Sequence, residues 1–143
     1  MTAKKEGSPS ETIVKNLEDK GWKIVENVEA TEFEVKDLEL VSVLKDGEES
    51  VEGDEMRRRA VSLMANLGLD DAMYIFDHQA EIPPEFRGKY ILFPGTLFDC
   101  QHIPSMWWED GKWLFGFIPV IIGLKFFEDD FLVRCKNTRH GKA

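Results

Sequence analysis

The apolar positions of this 143-residue chain change period several times, and each change marks an element. Ile13, Val14 and Leu17 share one side of a short helix that opens at Ser8-Pro9-Ser10-Glu11. Serine at the N-cap, proline at the first helical position and glutamate at the third make a capping box. Gly21 suits the left-handed position that ends the helix. From Trp22 the period falls to two. Trp22, Ile24, Phe33 and Val35 alternate with charged residues, and Leu38–Leu44 extends the pattern to a turn at Lys45-Asp46-Gly47-Glu48. Such alternation predicts two or three antiparallel strands with a wet outer side.

Helical spacing returns over Asp54–Asn66. Met56, Ala60, Leu63, Met64 and Leu67 form one stripe, acids occupy the first turn, and Gly68 is the candidate stop. Arg57, Arg58 and Arg59 point in three directions, with Glu55 and Asp54 at helical spacing from them. Ala72–Phe76 fits either a short strand or a helix end. Two prolines make Ile82–Phe86 a loop or a brief helical turn. Lys89–Phe93 reads as a buried strand closed by Pro94-Gly95.

Ile103–Phe117, IPSMWWEDGKWLFGF, then places three of the four tryptophans in fifteen residues. Its Glu-Asp-Gly-Lys centre joins two aromatic arms as a β-hairpin does. The apolar run Trp113–Leu124 is twelve residues long, short of the roughly 20 that a membrane helix needs, and is expected to form core strands. Phe131–Cys135 is the last strand. Late strands without intervening helices predict an α+β fold: two short helices packed on a mostly antiparallel sheet, with an aromatic C-terminal hairpin. Residues 1–7 are expected to be a loose, disordered polar tail and residues 8–143 a single domain.

Charge narrows the function classes. Of the formal net charge of −9, Glu11–Glu55 carries fifteen acids against five lysines, a local net of −10. The last ten residues hold Arg134, Lys136, Arg139 and Lys142 and no acid. Duplex binding needs a basic face to neutralise phosphates, so direct nucleic-acid binding is not expected. The acidic face serves solubility, docks on a basic partner, or mimics nucleic acid. No apolar leader precedes residue 22, and two cysteines are too few for a disulfide framework. A cytoplasmic protein with free thiols and no membrane association is the expectation.

Chemistry-bearing residues are sparse. His78, Cys100, His102 and Cys135 are soft ligands of the kind that hold tetrahedral zinc, with Asp77, Asp99 or Glu81 as supporting oxygens. Their long, irregular spacing matches no paired-ligand pattern. Cys100 with His78 or His102 is a candidate thiolate pair for a small metal- or thiol-dependent hydrolase, but no glycine elbow beside it supplies an oxyanion hole. Glu109-Asp110 and Asp129-Asp130 fall in turns, where carboxylates are solvated. On a strand Trp107 and Trp108 face opposite sides, so one of them meets a second layer or solvent, and Trp107, Trp108 and Trp113 are the candidate partner-binding residues. The expected function is non-enzymatic: an accessory or adaptor module that binds a protein partner through the acidic face or an exposed tryptophan. No resident cofactor is expected unless the cysteine–histidine set holds zinc.

Overall fold

Ser8 caps the first helix, α1 (Pro9–Asp19), by accepting a hydrogen bond from the Glu11 N–H at 3.4 Å, and Gly21 takes the left-handed conformation at φ 86°. The computed structural model describes residues 8–136; the tail expected over residues 1–7, with Arg139 and Lys142, lies outside the described residues. A second carboxylate reinforces the start of α1. Asp77 accepts from the hydroxyls of Ser8 and Ser10, each at 2.7 Å, and from the Ser10 N–H at 3.0 Å. A negative group at the positive end of a helix is favourable.

Asp77 ends a helix that the sequence left ambiguous. The described residues hold three α-helices rather than the two expected: α2 (Gly53–Ser62) and α3 (Leu69–Asp77) follow α1. Met64 bends the chain left-handed at φ 58°, so α2 stops before Gly68, and Gly68 becomes the N-cap of α3. Its N–H is bonded by the Asp71 carboxylate at 3.3 Å. Leu69, Ala72, Ile75 and Phe76 then bury one helical face. Asp71 is itself buried. It also accepts from the Thr31 N–H at 2.8 Å, yet burial outweighs both bonds and pushes its carboxyl above the ordinary range.

The strands are β1 (Ile24–Glu26), β2 (Leu38–Ser42), β3 (Val51–Glu52), β4 (Tyr90–Leu92), β5 (Leu97–Phe98), β6 (His102–Glu109), β7 (Lys112–Pro119), β8 (Lys125–Phe126) and β9 (Asp130–Cys135). Five of them form one sheet in the order β2-β9-β4-β6-β7, and β1-β5 and β3-β8 are small separate ladders. All pairs are antiparallel except β4 with β9. The β6–β7 hairpin turns at Asp110 (φ 54°) and Gly111 (φ 80°), two consecutive left-handed residues that match the twist of the flanking strands. Phe33 and Val35, expected on a strand, lie in a loop and a short 3₁₀ turn (Val35–Asp37); Phe33 instead meets Tyr74 edge-on, ring centres 5.5 Å apart.

Helices cover both faces of the sheet. Ile91, Met106, Trp113, Phe115 and Val133 pack with residues of α1 and α3 on one face. Leu92, Ile103 and Leu132 pack with Met56 and Ala60 of α2 on the other. This alternation explains how strands so rich in apolar residues satisfy both sides. The apolar run behaves otherwise at its end. Trp113–Pro119 belongs to β7, but Val120–Leu124 leaves the sheet as a turn closed by Leu124 N–H to Ile121 O at 3.1 Å, against the expectation of core strands throughout. No described helix is long and apolar enough to cross a membrane.

Candidate functional site

The three hairpin tryptophans are used differently. Trp113 is buried at 4 % exposure and meets Trp108 edge-on, ring centres 5.5 Å apart. Trp108 is half-buried, and the Arg87 guanidinium lies over it at 4.0 Å, a cation–π contact that covers its outer side. Trp107 points to the opposite face, as the alternation requires. There it lies over Gly116: a Cβ at that position would meet the Trp107 Cη2 at 2.7 Å. Glycine is what lets the indole lie flat against β7, and the indole N–H donates to Glu109 at 3.2 Å. All three rings are thereby engaged within the fold.

Exposed apolar surface lies at the far end of the same hairpin. Ile122 is 97 % exposed; Ile121 and Leu124 beside it, and Phe127 just beyond β8, are exposed as well. The turn is held rigidly at its root. Val120 donates its N–H to the Gln101 carbonyl at 2.8 Å and abuts Gly53 at the start of α2, where an added Cβ would come within 3.2 Å of it. Charged residues border this surface: Asp54 and Arg57 line a cleft with Ile121 and Ile122, and Glu48, Glu49 and Glu128 line another with Phe127. Burying an aliphatic side chain of this size is worth about 1.5–3 kcal/mol, so a cluster of them exposed side by side is available to a partner.

The acidic front half is partly neutralised within the fold. The three consecutive arginines of α2 each find an acid: Arg57 meets Glu26 at 2.5 Å, Arg58 meets Glu55 at 2.9 Å, and Arg59 meets Glu48 at 2.7 Å and Glu55 at 3.0 Å. Arg134 of β9 pairs with Glu39 at 2.8 Å, and Lys36 pairs with Glu34. Arg59 is the anchor. Its two terminal nitrogens grip both Glu48 oxygens at 2.7 and 2.8 Å, and one of them also reaches the Val43 carbonyl at 2.8 Å. The Arg59 hydrogen bonds, then that of the Lys45 N–H, lower the Glu48 carboxyl from 4.5 to about 2.

That shift has a sign. A carboxylate whose folded value is depressed contributes stability above its unfolded value, and the contribution is lost as pH falls from 4.5 through about 2. Asp71 and Asp130, raised mainly by burial, act oppositely and favour the fold as they protonate. Glu48→Gln should therefore be less stable than the parent at pH 6, and the gap should close toward pH 2. Urea melts at several pH values check it; a gap independent of pH refutes the Arg59 linkage.

The cysteine–histidine set does not converge: among the described residues no three His, Cys, Asp or Glu side chains come together as a metal site requires. His78 caps α3, with its Nδ1 against the Tyr74 carbonyl at 2.8 Å and its ring 4.2 Å from that of Tyr74. The His102 Nδ1 reaches the Cys100 carbonyl at 3.0 Å and its ring packs 5.0 Å from Trp22. Cys135 is on β9, opposite Leu38. Neither cysteine is in a disulfide. Burial pushes the Cys100 thiol up, the opposite of the depression a nucleophilic cysteine needs. Asp77, a possible orienting carboxylate in the sequence, is spent on α1, and Asp99 accepts from the Lys23 N–H at 3.2 Å.

The sequence pointed to the tryptophans because they are rare and clustered; it passed over Ile121 and Ile122 because an apolar run reads as core. Their signal was the punctuation of that run by Pro119 and Gly123. Comparison with protein-family models, curated proteins and solved structures gives no match.

Proposed function

We propose that this chain is a non-enzymatic accessory module that docks on a protein partner. The observation that carries the reading is the exposed aliphatic turn Ile121–Leu124, rooted by Val120 and bordered by Asp54 and Arg57, with the acids Glu48, Glu49 and Glu128 beside the exposed Phe127. Apolar anchors within a charged rim are how protein interfaces concentrate affinity, and here the rim selects a partner with basic residues around an apolar pocket. The docking element is thus the end of the hairpin rather than its tryptophans: Trp113 serves the core and Arg87 covers Trp108. The partner-facing role of the acids and that of the hairpin combine in one surface.

Ile122→Asp tests this directly. At 97 % exposure the substitution should leave the unfolding free energy within about 0.5 kcal/mol of the parent. A photo-crosslinking residue placed at position 121 should give a discrete adduct in cells, and Ile122→Asp should abolish it. Because the rim is charged, the association should weaken with salt while the aliphatic contact persists. A crosslinking pattern indifferent to Ile122→Asp would remove the turn as the docking element.

A further inference from the structure

A second surface lies on the opposite edge of the sheet. β2 is its outermost strand, and the pairing pattern shows which backbone groups point away from it. Lys136 donates its N–H to the Asp37 carbonyl at 2.9 Å, so Asp37 and Lys136 are a hydrogen-bonded pair in the antiparallel register that sets Leu38 against Cys135. Bonded and non-bonded pairs alternate, which turns Glu39 and Val41 inward to β9 and leaves Leu38, Leu40 and Ser42 facing outward. The Leu38 N–H is taken by Val35 O of the 3₁₀ turn. Among the described residues, no hydrogen bond of the fold takes the outward N–H and C=O groups of Leu40 or Ser42.

Beside this edge runs a cleft of about 480 Å³ between the end of β2 and helix α2. Val41 and Leu63 supply apolar walls, and Lys45, Arg58 and Arg59 bring three cations to a protein whose net charge is −9. Of the carboxylates that pair with these cations, Glu55 lines the cleft and is shared between Arg58 and Arg59, and Glu48 beside it is held bidentately by Arg59. Arg58 keeps a side chain 68 % exposed, and Lys45 is bonded to Glu48 through its backbone N–H rather than its ammonium. An edge strand with open hydrogen-bonding groups, an apolar wall shared with α2, and cations that outnumber the carboxylates pairing with them meet the requirements for strand addition.

We propose that the cleft between β2 and α2 binds an extended segment of a partner protein, which adds a strand to β2 at Leu40 and Ser42 and places an acidic side chain against Arg58 and Lys45. Main-chain hydrogen bonds supply sequence-independent affinity. The cations choose among extended segments, and the Val41–Leu63 wall receives an apolar side chain two residues from the acid, on the same face of the added strand.

The test is selection of random nine-residue peptides displayed on phage against the purified full chain. Enriched peptides should combine an acidic residue with a β-branched or aromatic residue two positions away. Their titration should shift the amide resonances of Leu40, Ser42 and Arg58. Arg58→Glu should weaken them at least tenfold, and a peptide whose acid is changed to lysine should recover binding to that variant. Methylating alternate peptide amides should abolish binding while leaving the protein untouched, which separates lost pairing from a damaged fold. No enrichment, shifts confined to the Ile121–Leu124 turn, indifference to the charge swap, or concentration-dependent self-association through β2 in place of peptide binding would each overturn the proposal.

Discussion

Trp113→Ala should destabilise the protein by about 3–5 kcal/mol, the range for removing a fully packed large aromatic side chain. Trp113 is 4 % exposed and stands in the face of the sheet packed with α1 and α3. Its ring supports Trp108 at 5.5 Å, and Trp108 in turn carries the Arg87 guanidinium at 4.0 Å. Alanine would open a cavity and remove the backing from both outer layers at once. The near-UV circular dichroism of the tryptophan pair should collapse with it. Chemical denaturation measures the loss; a change below about 1 kcal/mol would mean that the hairpin is not the spine of this core. Trp108→Ala should cost less, since its outer side meets a guanidinium and solvent rather than packed carbon.

Gly95→Ala should be nearly as damaging, of the order of 3 kcal/mol, for the opposite reason: too much matter rather than too little. A Cβ on Gly95 would sit 2.5 Å from the Asn66 carbonyl oxygen, 2.7 Å from a Val28 methyl and 2.9 Å from the Leu67 carbonyl carbon. Two of these are backbone atoms and cannot rotate away. The same crossing is tied by the Gly95 N–H to Leu67 O at 2.8 Å, and by the buried Thr96 hydroxyl, which accepts from the Leu69 N–H at 2.7 Å and donates to Asn27 at 2.5 Å. A shift of Gly95 would therefore disturb the start of α3 as well. Gly88, at φ 88° with nothing within 4 Å of its virtual Cβ, is the control. Alanine there should cost only about 1–2 kcal/mol of backbone strain. A loss at Gly95 no larger than that at Gly88 in the same melts would show that the fold accommodates the added Cβ and that crowding does not govern Gly95.

Local chemistry carried much of the fold. The Ser8 N-cap, the Gly21 stop, the Asp110-Gly111 turn and the strand at Phe131–Cys135 all rest on interactions between neighbours in sequence, and they stand within a residue or two of where the pattern puts them; among the described residues the return bond of the expected capping box, from Glu11 to the Ser8 N–H, does not form. Helix α3 was obscured because its N-cap is a glycine satisfied by Asp71, and glycine after an apolar stripe reads equally well as the end of the helix before it. The pairing of Arg58 and Arg59 with Glu55 was legible from helical spacing, but not that of Arg57 with Glu26 or Arg59 with Glu48. Those contacts join residues 31 and 11 positions apart, and no periodicity specifies them. For the same reason the spacing of His78, Cys100, His102 and Cys135 was compatible with a metal site that the described residues do not assemble.

What the sequence determined by itself is the alternation that sends Trp107 and Trp108 to opposite faces, the α+β class, and the charge asymmetry. Each follows from bonding geometry within one element or from composition alone. Only the tertiary structure decided which apolar residues are core and which are surface. Trp113 and Ile122 are both apolar residues of one continuous run, yet one is sealed beneath α1 and α3 and the other is left in water. Burial is a property of what packs against a residue, and that depends on strands and helices distant in the chain. The open edge of β2 is likewise set by the strand order β2-β9-β4-β6-β7, which places residues 38–42 beside residues 131–135 and leaves their other side unpaired.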